Sequence, residues 1–254
     1  MNISPSFHRL GLLIGEEAAA ALYRARVLVF GLGGVGSWCA EALVRSGIGN
    51  ITLIDFDKVE PSNINRQIEA TTNTIGQLKT DALASRLKEI NPDCVITAIP
   101  GFFSCKDEGM EHTAQSFGIP GADYIIDAID SMESKLDLIE TATSFDVTLF
   151  SSMGMARKLD PTRLRTGDIW KTHGCPLARN VREGLRMRGF KGNFTVVYSD
   201  EKAPQGDDSL LDNDNATKEL FKKKALGSAV TVTAAAGMIL ASLVIRDICG
   251  RGNE

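Results

Sequence analysis

Gly31, Gly33, Gly34 and Gly36 form a G-x-G-G-x-G turn, and Asp55 stands nineteen residues beyond Gly36. A glycine turn between a strand and a helix lets backbone N–H groups approach phosphate oxygens, and the field at the helix N-terminus favours the anion. Gly31 suits the tight bend, Gly33 and Gly34 the close approach of phosphate, and Gly36 the packing of the helix. A carboxylate such as Asp55 at the end of the following strand accepts hydrogen bonds from ribose hydroxyls, and would serve NAD as well as ATP. The discriminating residues come later, in Asn63-Ile64-Asn65-Arg66-Gln67 and at Lys79. A departing pyrophosphate gathers negative charge, and fixed cations in a dry pocket stabilise it. Arg66 offers a planar fork to phosphate oxygens and Lys79 a point charge. Asn63 and Gln67 would orient them or bind phosphate directly. Hydride transfer rarely needs such a grip, so the expected chemistry is ATP-consuming adenylate formation.

Three further groups are candidates for chemistry. Asp57 lies on the same side of an extended chain as Asp55, placed to cap the loop or to help position a metal. Asp130 ends a predicted strand in Ile126-Asp127-Ala128-Ile129-Asp130-Ser131. A carboxylate there suits Mg²⁺ bridging ATP oxygens, with Asp127 as a competitor. Capping of the next helix is the plainer role for Asp130. Thr172-His173-Gly174-Cys175-Pro176 holds a thiol with a base nearby, although a lone Cys beside Pro at a helix start is more often structural. His8, His112 and His173 show no metal-ligand spacing.

Positioning these groups requires a particular run of elements. Residues 26–30 are apolar and β-rich and lead straight into the glycine turn, so they predict a buried strand. A helix is expected over 37–46, closed by Gly47, then a strand over 51–54 and a helix over 78–90 stopped by Asn91-Pro92. Strands over 95–99 and 124–129, a helix over 133–144 and a strand over 147–151 continue the alternation. Upstream, residues 3–15 read as an arm and 16–24 as a helix. This pattern implies an α/β, Rossmann-like, doubly wound and mostly parallel sheet with a C-terminal extension. The ligand belongs at the carboxyl ends of its strands.

Three regions follow: an N-terminal arm and helix over 1–25, an ATP-binding Rossmann-like domain over 26–156, and a C-terminal substrate or dimer region over 157–254. The last is expected to hold a helix over 177–188 and a short strand over 194–198. Residues 200–217 are acidic, polar and poor in large apolar side chains, the composition of a mobile loop. Residues 225–245 carry no charge over twenty-one positions and follow Lys222, Lys223 and Lys224. That stretch is long enough to span a bilayer. Its first half is rich in Ala, Gly, Ser and Thr, which favours a helix packed on protein, within the chain or at a dimer interface, over a membrane anchor.

At 254 residues, 43% hydrophobic and with a net charge of −4, the chain is ample for one large core and ordinary for a globular protein. Five cysteines with no C-x-x-C argue against a disulfide scaffold and a tetracysteine zinc site, and fit a reducing, cytoplasmic setting. No signal peptide is expected. Charge is uneven: residues 157–191 hold ten basic against three acidic residues, a local +7, which leaves −11 for the remainder. Such a segment reads either as a polyanion site or as a solvated Arg-rich helix.

Taken together, Arg9, the glycines, Asp55, Ser62 to Gln67, Lys79 and Asp130 resemble the ATP site of the ThiF/MoeB superfamily, which includes the ubiquitin-activating enzymes. Ser151-Ser152-Met153-Gly154, Leu159-Asp160-Pro161-Thr162-Arg163, Asp168-Ile169-Trp170-Lys171-Thr172 and Pro176-Leu177-Ala178 resemble its TcdA (CsdL) branch, the tRNA threonylcarbamoyladenosine dehydratases. The resemblance runs from about residue 8 to 245. It implies adenylation of the threonyl carboxylate on a modified adenosine beside the anticodon, followed by ring closure. Within it Asp55 would bind ribose, Asn63, Arg66 and Lys79 the phosphates, and Asp130 Mg²⁺ or the attacking geometry. The family's homodimers place an N-terminal arginine in the partner's ATP pocket, which makes Arg9 the candidate. Arg157, Lys158, Lys171 and Arg179 are the candidate tRNA contacts, and a sulfur-transfer protein is a further candidate partner. Residues 200–224 match no pattern in the branch. Three other readings stand beside this one: adenylation of a ubiquitin-like sulfur carrier's C-terminus, an NAD-dependent oxidoreductase, and a membrane-tethered nucleotide-binding scaffold.

Overall fold

Seven strands form one sheet: β1 (Arg26–Phe30), β2 (Asn50–Ile54), β3 (Val95–Ile99), β4 (Tyr124–Asp127), β5 (Thr148–Ser152), β6 (Leu164–Asp168) and β7 (Thr195–Ser199). The computed structural model describes residues 4–105, 113–202 and 226–250. Across the sheet the order is β3-β2-β1-β4-β5-β7-β6. Every neighbouring pair is parallel except β6 with β7. The chain moves outward from β1 to β3, then crosses back to lay β4 on the other side of β1. That reversal opens a crevice at the carboxyl ends of β1 and β4, the place where open α/β sheets bind ligands.

The helices are α1 (His8–Ile14), α2 (Glu16–Arg24), α3 (Gly36–Arg45), α4 (Lys79–Ile90), α5 (Met132–Ser144), α6 (Pro176–Met187) and α7 (Val230–Ile248). They lie on both faces of the sheet. Leu43, Leu83 and Leu240 of α3, α4 and α7 cover Val27, Val29 and Leu53 on one face. Leu138 of α5 and Val181 of α6 cover Leu28, Ile125 and Val196 on the other. Strands buried on both faces read as continuous apolar runs, which is why 26–30 and 51–54 were legible.

The structure departs from the sequence reading in two elements. The expected arm over 3–15 contains the helix α1. Leu10 and Ile14 of this helix pack against the core with Gly11 buried between them, but the exposed Leu12 and Leu13 on its other side blur that pattern in the sequence. The strand β6 was not expected, because at the sheet edge only Leu164 of its five residues is buried and no alternation marks it. The strand reaches the sheet by antiparallel pairing with β7, so the sheet continues past residue 156.

The long uncharged stretch becomes α7, nineteen residues with a mean hydropathy of 1.6, long and apolar enough to cross a membrane on those criteria. One stripe of it, Val232, Ala236, Gly237, Leu240, Ala241 and Val244, is buried. Gly237 meets α3 so closely that a Cβ there would lie 2.5 Å from the Val35 carbonyl oxygen. Small residues on α7 therefore serve close helix packing within this chain. Most of the expected loop over 200–217, and the lysines at 222–224, lie outside the described residues.

Candidate functional site

Gly31, directly after β1, adopts a φ of +85°, and a Cβ there would sit 2.7 Å from the Ala128 carbonyl oxygen. A Cβ on Gly36 would lie 1.8 Å from the Gly31 carbonyl oxygen, so these two glycines are required by the turn itself. Gly33 is different: the nearest neighbour of a Cβ there would be the Gln67 side chain at 4.0 Å. The Ser37 amide and hydroxyl both donate to the Gly33 carbonyl. Among the described residues the amides of Gly33 and Gly34 donate to nothing. Two free amides at the N-terminus of α3 form an anion-binding concavity.

Asp55, one residue past β2, is buried, and its carboxylate accepts hydrogen bonds from the amides of Leu32 (2.7 Å) and Asp57 (2.8 Å). It thus ties the glycine turn to the end of β2. Burial pushes its carboxyl above the ordinary aspartate range, opposed by the nearby Lys79 charge and the two amides.

Lys79 reaches this place through a small piece of antiparallel pairing. Val59 donates to Gln77 and Lys79 to the Asp57 carbonyl, closing the loop over 60–75. The buried Lys79 ammonium then lies 2.8 Å from Asp57 Oδ2. Burial works against its charge, but Asp55, the hydrogen bond to Asp57 and the nearby Glu69 outweigh that and hold its pKa above the usual lysine value. Asp57 thereby orients Lys79, a role distinct from either one its spacing suggested.

The loop over 60–75 is pinned from outside at two places and braced within. Trp38 Nε1 of α3 donates to the Arg66 carbonyl at 2.9 Å. Asn65 Nδ2 donates to the Ser228 carbonyl ahead of α7 at 3.0 Å. Asn63 Oδ1 accepts the Glu60 amide, so Asn63 shapes the loop. The Arg66 guanidinium donates to the Ser62 carbonyl and Asn65 Oδ1, and its stem lies against Gly34. Gln67 is buried beside Gly33, with Oε1 lacking a partner among the described residues.

Two groups here were missed from sequence. Glu69 is buried with both carboxylate oxygens unpartnered among the described residues. Burial pushes its pKa up to about 7. Its own amide, Lys79 and Ser37 draw it down by less, none of them in hydrogen-bonding geometry. Nothing in its sequence neighbourhood announces it. Lys135 of α5 is wholly buried on Asp127 at 2.6 Å. Its signal was present: Leu138, Ile139 and Ala142 follow it on the buried face of the same helix, and a lysine in that register needs a buried partner.

Asp127, the competitor for a metal, accepts from Lys135, Ser151 and the Ile129 amide, so its oxygens are already engaged. Asp130 lies in the exposed loop beyond β4, and among the described residues its carboxylate has no hydrogen bond or ion pair. The helix cap is Ser131, so Asp130 does not cap α5. A free carboxylate two residues from the Ala128 contact with Gly31 fits a hard cation that takes one protein oxygen and several phosphate or water oxygens.

Arg9 does not join this group within one chain. It stands exposed on α1, which follows Phe7, and Phe7 packs by Gly47 past the C-terminal end of α3. The glycine turn is at the other end of that helix, about 15 Å away at 1.5 Å per residue. Cys175 is buried at the start of α6, and His173 packs edge-on to the Tyr198 ring at 5.7 Å, so the structure does not pair the thiol with that base.

The basic segment is partly neutralised. Arg163 and Arg165 share Asp200, and Arg188 bonds Asp137 and Glu140. Arg186 stacks over Trp170 at 5.5 Å, and Arg182 donates to Thr172. Of the four candidate tRNA contacts, Arg157, Lys171 and Arg179 are exposed, whereas Lys158 is buried with its ammonium on the Glu201 carbonyl. Two grooves at the opposite, amino-terminal edge of the sheet, both lined by Arg26 and Asn50, lie away from all of these residues.

Comparison with known proteins agrees with this geometry. The tRNA threonylcarbamoyladenosine dehydratase of Bacillus subtilis is 40% identical over 245 residues, covering 95% of this chain and 94% of its own length. The E. coli tRNA N6-threonylcarbamoyladenosine dehydratase, TcdA, solved in complex with AMP, superposes with a TM-score of 0.84 at 33% identity, covering 99% of this chain and 98% of that one. The same enzyme in complex with ATP gives 0.83 with the same coverage. Residues 7–254 match the ThiF family, and the chain belongs to it.

Proposed function

We propose that this protein catalyses the ATP-dependent dehydration of threonylcarbamoyladenosine in tRNA. The observation that carries the reading is the buried Lys79, held by Asp57 and Asp55 beside a glycine turn with free amides, in a chain similar over its full length to such dehydratases. In the first step the threonyl carboxylate attacks the α-phosphorus of ATP, and the bond to the pyrophosphate oxygen breaks. In the second, a nucleophilic nitrogen or oxygen of the modification attacks the activated carbonyl. It loses its proton, and AMP departs with the former carboxylate oxygen. The net change is loss of water from the nucleoside, coupled to conversion of ATP to AMP and pyrophosphate.

Each residue has a physical role in that scheme. The amides of Gly33 and Gly34 bind phosphate, and Asp55 receives the ribose hydroxyls. Lys79 and Arg66 stabilise the charge gathering on pyrophosphate, with Gln67 beside them and Asn63 setting their loop. Asp130 would hold Mg²⁺, which supplies further charge neutralisation on the phosphates. Proximity of carboxylate and α-phosphorus accounts for much of the remaining acceleration. A homodimer in which Arg9 enters the partner's site fits its distance from its own glycine turn. Arg157, Lys171 and Arg179 are the surface cations proposed to meet tRNA in the cytoplasm.

The test is ATP–pyrophosphate exchange with purified protein, comparing tRNA that carries threonylcarbamoyladenosine with unmodified tRNA. Turnover only with the modified tRNA, lost in Lys79→Ala, is the expected result. Stimulation by a ubiquitin-like carrier protein instead would transfer the same ATP site to the sulfur-carrier reaction. Mixing Arg9→Ala with Lys79→Ala chains should restore part of the activity if Arg9 acts in trans.

A further inference from the structure

We propose that Lys135 is a positioning residue for adenylation, holding the loop that carries Asp130 against the glycine turn. The inference rests on the reading of Asp130 given above. Lys135 and Asp127 are both fully buried, and the ammonium has three partners: Asp127 Oδ2 at 2.6 Å, the Ser152 carbonyl at 3.1 Å and Ser151 Oγ at 3.3 Å. Those three contacts use all three N–H donors of the lysine. Ser151 also donates to Asp127 Oδ2 at 2.6 Å. The network therefore ties the first turn of α5 to the carboxyl ends of β4 and β5.

Asp127 then reaches forward. Its second oxygen accepts the Ile129 amide at 3.1 Å, which sets the bend of Ala128, Ile129 and Asp130. The Ala128 carbonyl in that bend is the group that crowds Gly31. One continuous set of contacts thus runs from Lys135 through Asp127 to the loop of Asp130 and the phosphate turn. Desolvating two charges is expensive, and apolar residues of similar volume commonly give equal or better stability. The return on this buried pair is the fixed geometry of the loop it holds.

The test is the double variant Asp127→Asn/Lys135→Met, which removes both charges together, with Asp130→Asn alongside. Two readouts are taken: hydrogen exchange of residues 128–131 in the protein free of metal and nucleotide, and single-turnover adenylation. The double variant should exchange that loop at least about 10-fold faster while keeping wild-type protection in β1 and β2. Its adenylation rate should fall about 10- to 100-fold with the KM for tRNA unchanged, as expected when a reacting group is misplaced by about 1 Å. A folded double variant with wild-type exchange and rate overturns the proposal. If the double variant does not fold, Ser151→Ala decides: faster loop exchange with a lower rate supports the proposal, and no change in either overturns it. A rate loss in Asp130→Asn without one in the double variant sinks only the role of Lys135. No loss in Asp130→Asn sinks the reading of Asp130 itself.

Discussion

Around the glycine turn the charged side chains Asp55, Lys79 and Glu69 are buried, and the first two are wired to backbone amides or to Asp57. Along residues 157–191 most charges stand at the surface, and Arg163, Arg165 and Arg188 face carboxylates from elsewhere in the chain. By sequence the basic segment is the richer in cations, with ten against Arg66 and Lys79 at the turn. Burial makes the difference, because an ammonium in a low-dielectric site acts on phosphate far more strongly than a solvated one. The local count of +7 also left out Asp137, Glu140 and Asp200, which lie outside the segment and neutralise part of it.

The largest effect that would break this comparison is at Lys79. Lys79→Ala should reduce ATP–pyrophosphate exchange by on the order of 10³-fold, whereas Arg188→Ala should leave exchange within about 3-fold. Comparable losses from both would mean that the two regions do not differ as burial implies.

Backbone crowding gives the next contrast. Gly36→Ala places a Cβ 1.8 Å from the Gly31 carbonyl oxygen, while at Gly167 on β6 a Cβ would meet nothing within 4 Å. Thermal denaturation should show Gly36→Ala destabilised by about 3 kcal/mol or more and Gly167→Ala changed by under about 0.5 kcal/mol.

Glu69 sharpens the contrast through pH. Its pKa rises from 4.5 to about 7 in the folded protein, so between those values the folded state keeps a proton that the unfolded chain has lost. Stability therefore falls as pH rises through that window and stays lower above it. Glu69→Gln, neutral throughout, should be more stable than the parent at about pH 8 by on the order of 2–3 kcal/mol, and little changed near pH 4. Urea melts at the two pH values measure this. A constant difference would show that the site does not hold Glu69 as an isolated buried acid.

The smallest effects belong to the exposed cations. Lys171→Ala and Arg179→Ala should each weaken tRNA binding a few-fold and lower its salt dependence by about one counterion. Arg163→Ala, whose charge already faces Asp200, should change the salt slope by less. Filter binding across a salt series separates the two.

Much of the site was legible because its parts are local. Gly31 to Gly36 and Asp55 belong to one strand–turn–helix–strand unit with short connections, so spacing alone located the glycine turn and the carboxylate tied to it. Arg66 and Lys79 were identified by residue type, while the groups that hold them, Trp38 and Asp57, depend on chain closure that spacing does not report. Lys158 shows the opposite outcome: it has the residue type of a tRNA contact, yet it is buried on Glu201.

The amino-acid sequence by itself determined the alternation of strands and helices, the crevice end of the sheet and the glycine turn with Asp55 behind it. Each of those follows from apolar runs, glycine stereochemistry and charge over short stretches of chain. Only the tertiary structure decided that β6 joins the sheet at its edge and that α7 packs its small residues on α3. It alone buries Glu69 without a side-chain hydrogen-bond partner among the described residues, gives Lys135 to Asp127, and sets Arg163, Arg165 and Arg188 of the basic segment against carboxylates. Burial and pairing are set by segments far apart in sequence, and the desolvation that gives a charge its strength exists only once those segments have met.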